Sequence, residues 1–231
     1  MKLFLLGTAR EGSTRVKNKM TRPFGNTSLY GLYLRKFEEL LNSRTFSGVG
    51  MAINRNDKTL WKISENTKVP IIERNDKSVK GISTRSEELH FLEGIDADYI
   101  MWINGCLPFL NVQTIQEAGS TFLKNQPQFR SMTAVRIKYT WYWDSITKEA
   151  INNKDPKNVY TQRSPPLLES IHAFHIFSRK NLLENDSYWN LGRNDPYLYV
   201  IEDEIECLDI DTEIDFKICE CMWRLKNEEE F

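Results

Sequence analysis

The sequence contains no apolar run approaching the roughly 18 residues that cross a bilayer, and Met1-Lys2-Leu3-Phe4-Leu5-Leu6 is too short for the apolar core of a secretory leader. These absences predict a cytoplasmic protein with no membrane partner. Cysteine is sparse. Its four copies, Cys106, Cys207, Cys219 and Cys221, show no Cys-x-x-Cys spacing, and the tight Cys219-x-Cys221 pair has no histidine nearby. A zinc site is excluded and reduced thiols are expected. An excess of one charge is missing too: 31 Lys and Arg face 32 Asp and Glu, for a formal net charge of -1. A broad basic face for nucleic acid is therefore excluded, and small-molecule partners are expected. The pattern GxxxxGK[ST] of phosphate-binding P-loops is also absent.

What is present describes a globular chain. A length of 231 residues, 40% of them hydrophobic and 27% charged, predicts one α/β domain over residues 1–231, with room for a small lobe. The run Lys2–Leu6 reads as a buried strand. Asn26 or Thr27 then caps a helix with apolar positions Leu29, Leu32, Tyr33, Phe37, Leu40 and Leu41 at i, i+3, i+4 spacing. Phe46–Ile53 is a second strand, Asp57–Asn66 a short helix, and Val69–Ile72 a third strand that Pro70 places at a sheet edge. A turn follows at Asn75–Ser78, and Thr84 starts a helix on which His90 is a surface or packing residue. The continuous apolar run Tyr99–Ile103 is a central parallel strand, and Asn111–Asn125 is a helix. This alternation predicts a mostly parallel sheet flanked by helices.

Beyond residue 130 the pattern changes. Met132–Trp143 is β-branched and aromatic with period-2 alternation, which predicts a long strand; Asp144–Asn158 is a turn or loop, and Val159–Gln162 returns to complete a hairpin. Trp141 and Trp143 on that hairpin pack on a second copy, stack on a sugar or pack internally. Ile171–Phe177 is a further strand. Either of its histidines has the ordinary pKa of a general base, but alternation places His172 and His175 on opposite faces. Ile205–Asp211 reads as a strand feeding a helix with apolar positions Ile214, Ile218, Cys221, Met222 and Leu225.

Two segments carry chemistry. From Gly7 to Pro23, Arg10, Arg15, Lys17, Lys19 and Arg22 stand against the single acid Glu11, so the loop is about +4 in a chain of net charge -1. A polyphosphate would turn this repulsion into charge-assisted hydrogen bonds. Gly7 and Gly12 permit tight turns, Ser13 and Thr14 add hydroxyl donors, and a first strand-to-helix loop is the usual phosphate site of an open α/β sheet. Near the other end, Asp209 and Asp211 share one face of an extended backbone around Ile210. Their Cα atoms are then roughly 6.6 Å apart, a span that magnesium bridges directly or through water.

Ala9-Arg10-x-Gly12-Ser13-x-Arg15 followed by Asn18-Lys19 resembles the N-terminal signature of the cytidylyltransferases that make CMP-activated acid sugars, the CMP-sialic acid and CMP-Kdo synthetases. Asp209-x-Asp211-Thr212-x-x-Asp215 resembles their C-terminal segment, and Thr161-Gln162-x-x-Pro165-Pro166 their acceptor segment. The resemblance implies a Rossmann-like mixed, mostly parallel sheet with a protruding β-hairpin dimerisation lobe at about 136–175, and a homodimer. It implies CTP binding by Ala9, Arg10, Gly12, Ser13, Arg15 and Lys19, acceptor contacts from Gln162 and Arg163, and Mg2+ on Asp209 and Asp211; at positions that differ from the family, Asn104 is a further candidate for the nucleotide and His172 for the acceptor. Arg10, Lys19, Asp209 and Asp211 are the catalytic set it implies, for transfer of CMP from CTP to an anionic sugar or phosphonate. The chain departs from the family at Asn54-Arg55, at Asn104 to Leu107, where Cys106 replaces an aspartate of the Kdo enzymes, and at Ile171-His172. An acceptor other than a standard sialic acid is expected. The rival readings are a glycosyltransferase, on the Asp209-Ile210-Asp211 DxD pattern, and a non-catalytic nucleotide-binding relative.

Overall fold

The computed structural model describes residues 1–76 and 84–228; part of the expected turn at Asn75–Ser78 lies outside the described residues. Seven strands form one sheet in the order β5-β4-β1-β6-β8-β7-β9: β1 (Leu3–Thr8), β4 (Gly48–Asn54), β5 (Ile71–Arg74), β6 (Tyr99–Ile103), β7 (Met132–Lys138), β8 (Leu167–Ser178) and β9 (Tyr197–Val200). The pairs β1–β4, β1–β6, β4–β5 and β7–β9 are parallel, and β8 runs antiparallel to both β6 and β7. The sheet is mixed and mostly parallel, as the sequence predicts. β6 lies at its centre and β5 at its edge beside Pro70. A small ribbon, β2 (Pro23–Phe24) with β3 (Thr27–Ser28), leads into the first helix.

Side-chain alternation separates two apolar layers. Leu3 and Leu5 of β1 face α1 (Leu29–Leu40), α2 (Lys58–Ser64), α4 (Val112–Lys124) and α6 (Glu213–Glu228). Leu6 and Ile100 face the other layer with Leu89, Leu92 and Leu182, which come from the residue that follows α3 (Arg85–Glu88), the 3-10 turn His90–Gly94 and α5 (Arg179–Asn185). Covering both faces explains why β1 and β6 read as continuous apolar runs. The cap of α1 is Ser28, whose Oγ accepts from Gly31 N at 3.1 Å; Asn26 and Thr27 belong to the ribbon before it. The apolar face of α1 is as expected, with Leu29, Leu32, Tyr33, Phe37 and Leu40 buried.

Three expectations are corrected. The strand from Met132 ends at Lys138, and residues 139–160 form a loop instead of a hairpin, with one isolated bridge, Trp143 to Ala150. Buried Asn152 holds that loop: its side chain donates to the Thr140 and Pro165 carbonyls at 3.0 Å and accepts from Tyr142 N at 2.9 Å. A side chain saturating three backbone groups replaces the ladder that a hairpin would need. Residues 205–211 are a turn and an extended segment outside the sheet. The α6 face is also reversed: Phe216, Cys219 and Trp223 pack inward while Ile214, Ile218 and Leu225 are exposed. Phe24 receives both aromatic rings, at 5.4 Å from Phe216 and 6.1 Å from Trp223. Larger apolar area decides which stripe is buried.

Candidate active site

The carboxyl ends of β1, β4, β5 and β6 open on one side of the sheet, and the cationic loop lies over them. Val16 and Met20 plug it into the core, and Glu11 accepts from Thr59 N and Leu60 N at the start of α2. Asn18 turns the chain in the left-handed region, φ 54°, which asparagine tolerates better than most residues. The turn sends Lys19 inward. Lys19 is 8% exposed, and its Nζ donates to the Ile210 carbonyl at 2.5 Å. Arg15 reaches Asp211 at 2.9 Å, and Arg22 meets Glu213 at 2.9 Å while its guanidinium lies 3.6 Å over the Phe216 ring. Acids from the far end of the chain thus balance two of the loop's five cations. Gly7 is required by packing, since a Cβ there would come within 2.5 Å of Met51 and 2.9 Å of the Tyr33 hydroxyl; a Cβ on Gly12 would meet nothing.

The two aspartates straddle a pinned residue. Ile210 is fully buried, its N donates to the Cys106 carbonyl at 3.1 Å, and its carbonyl takes Lys19. Asp211 meets Arg15, whereas Asp209 Oδ1 is buried without a hydrogen-bond partner. Burial first, and the Asp211 charge second, raise the Asp209 carboxyl above its usual range. Neither caps α6. Thr212 Oγ1 accepts from Asp215 N at 3.2 Å and Asp215 Oδ2 accepts from Thr212 N at 2.7 Å, a reciprocal capping box. An orphaned carboxylate oxygen beside a second carboxylate suits a hard divalent cation. Among the described residues no cluster of three or more such ligands occurs, so the remaining ligands would be water or a bound substrate's oxygens.

Two cavities adjoin the loop. One of about 120 Å³ is lined by Ala9, Arg10, Ser13, Lys19, Arg74, Asn104 and Cys106 among others, and thus gathers five of the expected nucleotide residues. Asn104 Oδ1 accepts from Cys106 N at 3.0 Å. Burial pushes the Cys106 thiol up, and Lys19 beside it acts the other way. The second cavity, about 530 Å³, shares Thr8, Arg10 and Arg74 with the first and adds Arg85, Glu88, Trp102, His172, His175, Tyr188 and Trp189. Trp102 stacks on His175 at 5.7 Å and donates its Nε1 to Thr8 Oγ1 at 3.0 Å. Ser86 N donates to Asp186 Oδ1 at 2.6 Å, which ties the α3 wall to the Tyr188–Trp189 wall.

Sequence reasoning missed Arg74, Arg85, Tyr188 and Trp189. Arg74 ends β5 at a carboxyl edge and carried a readable signal; the others come together only through tertiary structure. The opposite-face placement of His172 and His175 is overturned. His172 has φ 50° in a bulge of β8, and both rings line the larger cavity. Gln162 and Arg163 are exposed on a 3-10 turn, with the Arg163 guanidinium 4.5 Å over Tyr160, and neither lines these cavities. Arg136 and Lys138 are bound to Glu169 and Glu204. Asn54 is a structural tie, donating to the Arg74 carbonyl and Asp76 Oδ1 at 3.0 Å, and Arg55 pairs with Glu73. His90 stands outside the site beside Asn75. All four cysteines are free.

A mostly parallel sheet with a cationic loop after its first strand, facing paired carboxylates from the segment before the last helix, is an α/β nucleotidyltransferase layout. The same architecture occurs in CMP:2-keto-3-deoxy-manno-octonic acid synthetase complexed with CTP, with a TM-score of 0.68 and 11% identity over 98% of this chain and 100% of that one. At that identity the likeness is one of fold. The cytidylyltransferase family model matches residues 7–228, and the chain belongs to that family, enzymes that transfer a cytidylyl group from CTP. Post-translational flagellin modification protein B of Campylobacter coli is 27% identical over 95% of this chain and 94% of its own length. CMP-N,N'-diacetyllegionaminic acid synthase of Campylobacter jejuni is 41% identical over 42% of this chain and 40% of its own. Among the described residues no helix is long and apolar enough to cross a membrane.

Proposed function

We propose that this enzyme transfers CMP from CTP to an anionic sugar of the nonulosonate type, releasing pyrophosphate in the cytoplasm. The observation that carries the reading is the meeting of the two ends of the chain: Lys19 on the Ile210 carbonyl and Arg15 on Asp211 set cations of the first loop beside the paired carboxylates. Arg10, Ser13, Lys19 and Asn104 hold the triphosphate, with Ala9 and Gly12 shaping its backbone cradle. Arg10, Arg74 and Arg85 offer cations to the acceptor's carboxylate. Trp102, Tyr188 and Trp189 offer aromatic surface to its carbon skeleton and acyl groups. Asp209 and Asp211 would hold magnesium, which supplies neutralisation of phosphate charge when bound. The acceptor hydroxyl attacks the α-phosphorus in line, and positioning with charge stabilisation provides most of the catalysis.

The name of the Campylobacter jejuni relative favours a diacetylated nonulosonate over N-acetylneuraminate, and so does the replacement at Ile171-His172. The test is pyrophosphate release with CTP and magnesium against a panel: N-acetylneuraminate, a diacetylated legionaminate-type acid, Kdo and a phosphonate. Fastest turnover is expected with the diacetylated acid. N-acetylneuraminate as best substrate would refute the acceptor assignment, and no turnover with any acceptor would refute the transferase reading.

We further propose that the enzyme is a homodimer joined through residues 139–160, where Tyr139, Trp143, Ile146, Val159 and Tyr160 are between 55% and 87% exposed. Covering so much apolar surface favours association. Light scattering is expected to give twice the chain mass, falling to 27.2 kDa in the double variant Trp143→Glu with Ile146→Glu. A wild-type monomer overturns the proposal.

A further inference from the structure

β8 departs from regular strand geometry at His172. Thr133 of β7 pairs with His175 and Val135 with Ser170, so Ala134 stands opposite the four residues 171–174. Within that bulge His172 has φ 50°, an uncommon conformation for a residue other than glycine, of the kind that gathers at functional sites. The bulge turns both histidine rings to one side. His172 Nδ1 and His175 Nε2 share a hydrogen bond of 3.1 Å, and His175 Nδ1 shares another of 2.8 Å with Thr133 Oγ1. Trp102 stacks on the His175 ring with an interplanar angle of 8°, which locks its orientation. Burial, with the His172 charge second, pushes the His175 imidazole down to about 3, so it stays neutral and carries one proton. When that proton is on Nδ1 and donated to Thr133, His175 Nε2 accepts from His172 Nδ1–H. His172 Nε2 then presents a lone pair, and it meets no hydrogen-bond partner among the described residues. The His172 ring lines the larger cavity beside Trp102, Tyr188 and Trp189.

We propose that His172 is the general base of the transfer, with His175 and Thr133 as positioning residues that fix its tautomer. The inference rests on cytidylyl transfer at this cleft. As the acceptor hydroxyl oxygen bonds to the α-phosphorus, its proton passes to His172 Nε2. The bond from the α-phosphorus to the bridging oxygen breaks and pyrophosphate leaves with that electron pair. The imidazolium keeps its Nδ1–H on His175 and returns its extra proton to solvent after product release. Arg10 from the first loop, Arg74 from β5, Arg85 and Glu88 from α3, and Tyr188 line the same cavity as His172, and Asp209 of the 208–211 segment lies within electrostatic reach of it.

Two variants test it. His172→Gly suits φ 50°, so it spares the fold, and His172→Gln keeps an amide that hydrogen-bonds His175 while accepting no proton. With the best acceptor of the panel, both are expected to lose ~10²–10⁴-fold in kcat with unchanged CTP affinity by calorimetry. Both should also lose the acidic limb of the pH–kcat profile, and added imidazole should restore turnover to His172→Gly. Thr133→Val is expected to shift the acidic limb, which a purely structural threonine would leave in place. A His172→Gln enzyme within about threefold of wild type, a His172→Gly enzyme that imidazole does not rescue, or an unmoved limb in Thr133→Val would overturn the relay. A wild-type enzyme inert toward every acceptor would instead refute the transferase reading beneath it.

Discussion

Replacing Lys19 with methionine removes an ammonium group and little else, because the apolar stem keeps its length. Lys19 is 8% exposed and its Nζ is the donor that meets the Ile210 carbonyl. Removing a donor from a buried carbonyl costs about 1–3 kcal/mol. For a chain of this size each kcal/mol moves Tm by about 2–4 °C, so a fall of about 2–12 °C is expected. Ile210 N remains on the Cys106 carbonyl, so the carboxylate segment stays tethered and the variant folds. CTP affinity should fall as well: one charge-assisted phosphate contact is worth about 1.5–3 kcal/mol, or about 10- to 150-fold in Kd. Arg10→Met is the control. Arg10 is exposed, so a similar loss of affinity is expected with Tm nearly unchanged, as for most surface substitutions. Thermal melts and calorimetric titration with CTP separate the two roles. A Lys19→Met protein that melts like wild type removes the anchor, and unchanged CTP affinity in both variants removes the loop from the phosphate site.

Asp209→Asn is expected to abolish turnover while melting no lower than wild type, since it relieves a half-buried carboxylate whose Oδ1 is buried without a hydrogen-bond partner. The sign follows from the raised carboxyl: the folded state holds its proton where the unfolded chain has lost it, so the charge costs stability at neutral pH and the cost fades as pH falls through the folded value. The Tm difference between variant and wild type should therefore narrow on acidification; a difference that widens would sink this account. Thr212→Ala removes the Oγ1 that caps α6, costing about 1 kcal/mol and lowering Tm by about 2–4 °C; an unchanged Tm would show that Asp215 caps alone. Arg85→Ala should raise the acceptor KM by about 10- to 150-fold, the worth of one charged contact, and leave the KM for CTP unchanged, because Arg85 lines only the larger cavity. Equal rises in both KM values would place Arg85 elsewhere.

The chain's own sequence determined the elements that local physics dictates. Continuous apolar runs at β1 and β6 can only be strands covered on both faces, Pro70 bars its strand from the interior, and the 3.6-residue stripe of α1 selects one buried face. The cationic loop and the paired aspartates were legible as residue types at telling positions. Tertiary structure decided what those residues do. Arg15 and Asp211 are 196 positions apart, so no local pattern foretells that they meet. The α6 stripe of Ile214, Ile218 and Leu225 has the right period and still faces outward, because Phe216 and Trp223 gain more by filling the space beside Phe24. The strand from Met132 stops where Asn152 takes up the backbone groups that a hairpin partner would have used. The histidines share a face only because of one bulge, a break in the period-2 rule that depends on how β7 and β8 register. The cleft itself draws on β1, β5, β6, β8, α3 and the Tyr188–Trp189 segment, and sheet order, set by long-range packing, is what brings them to one place.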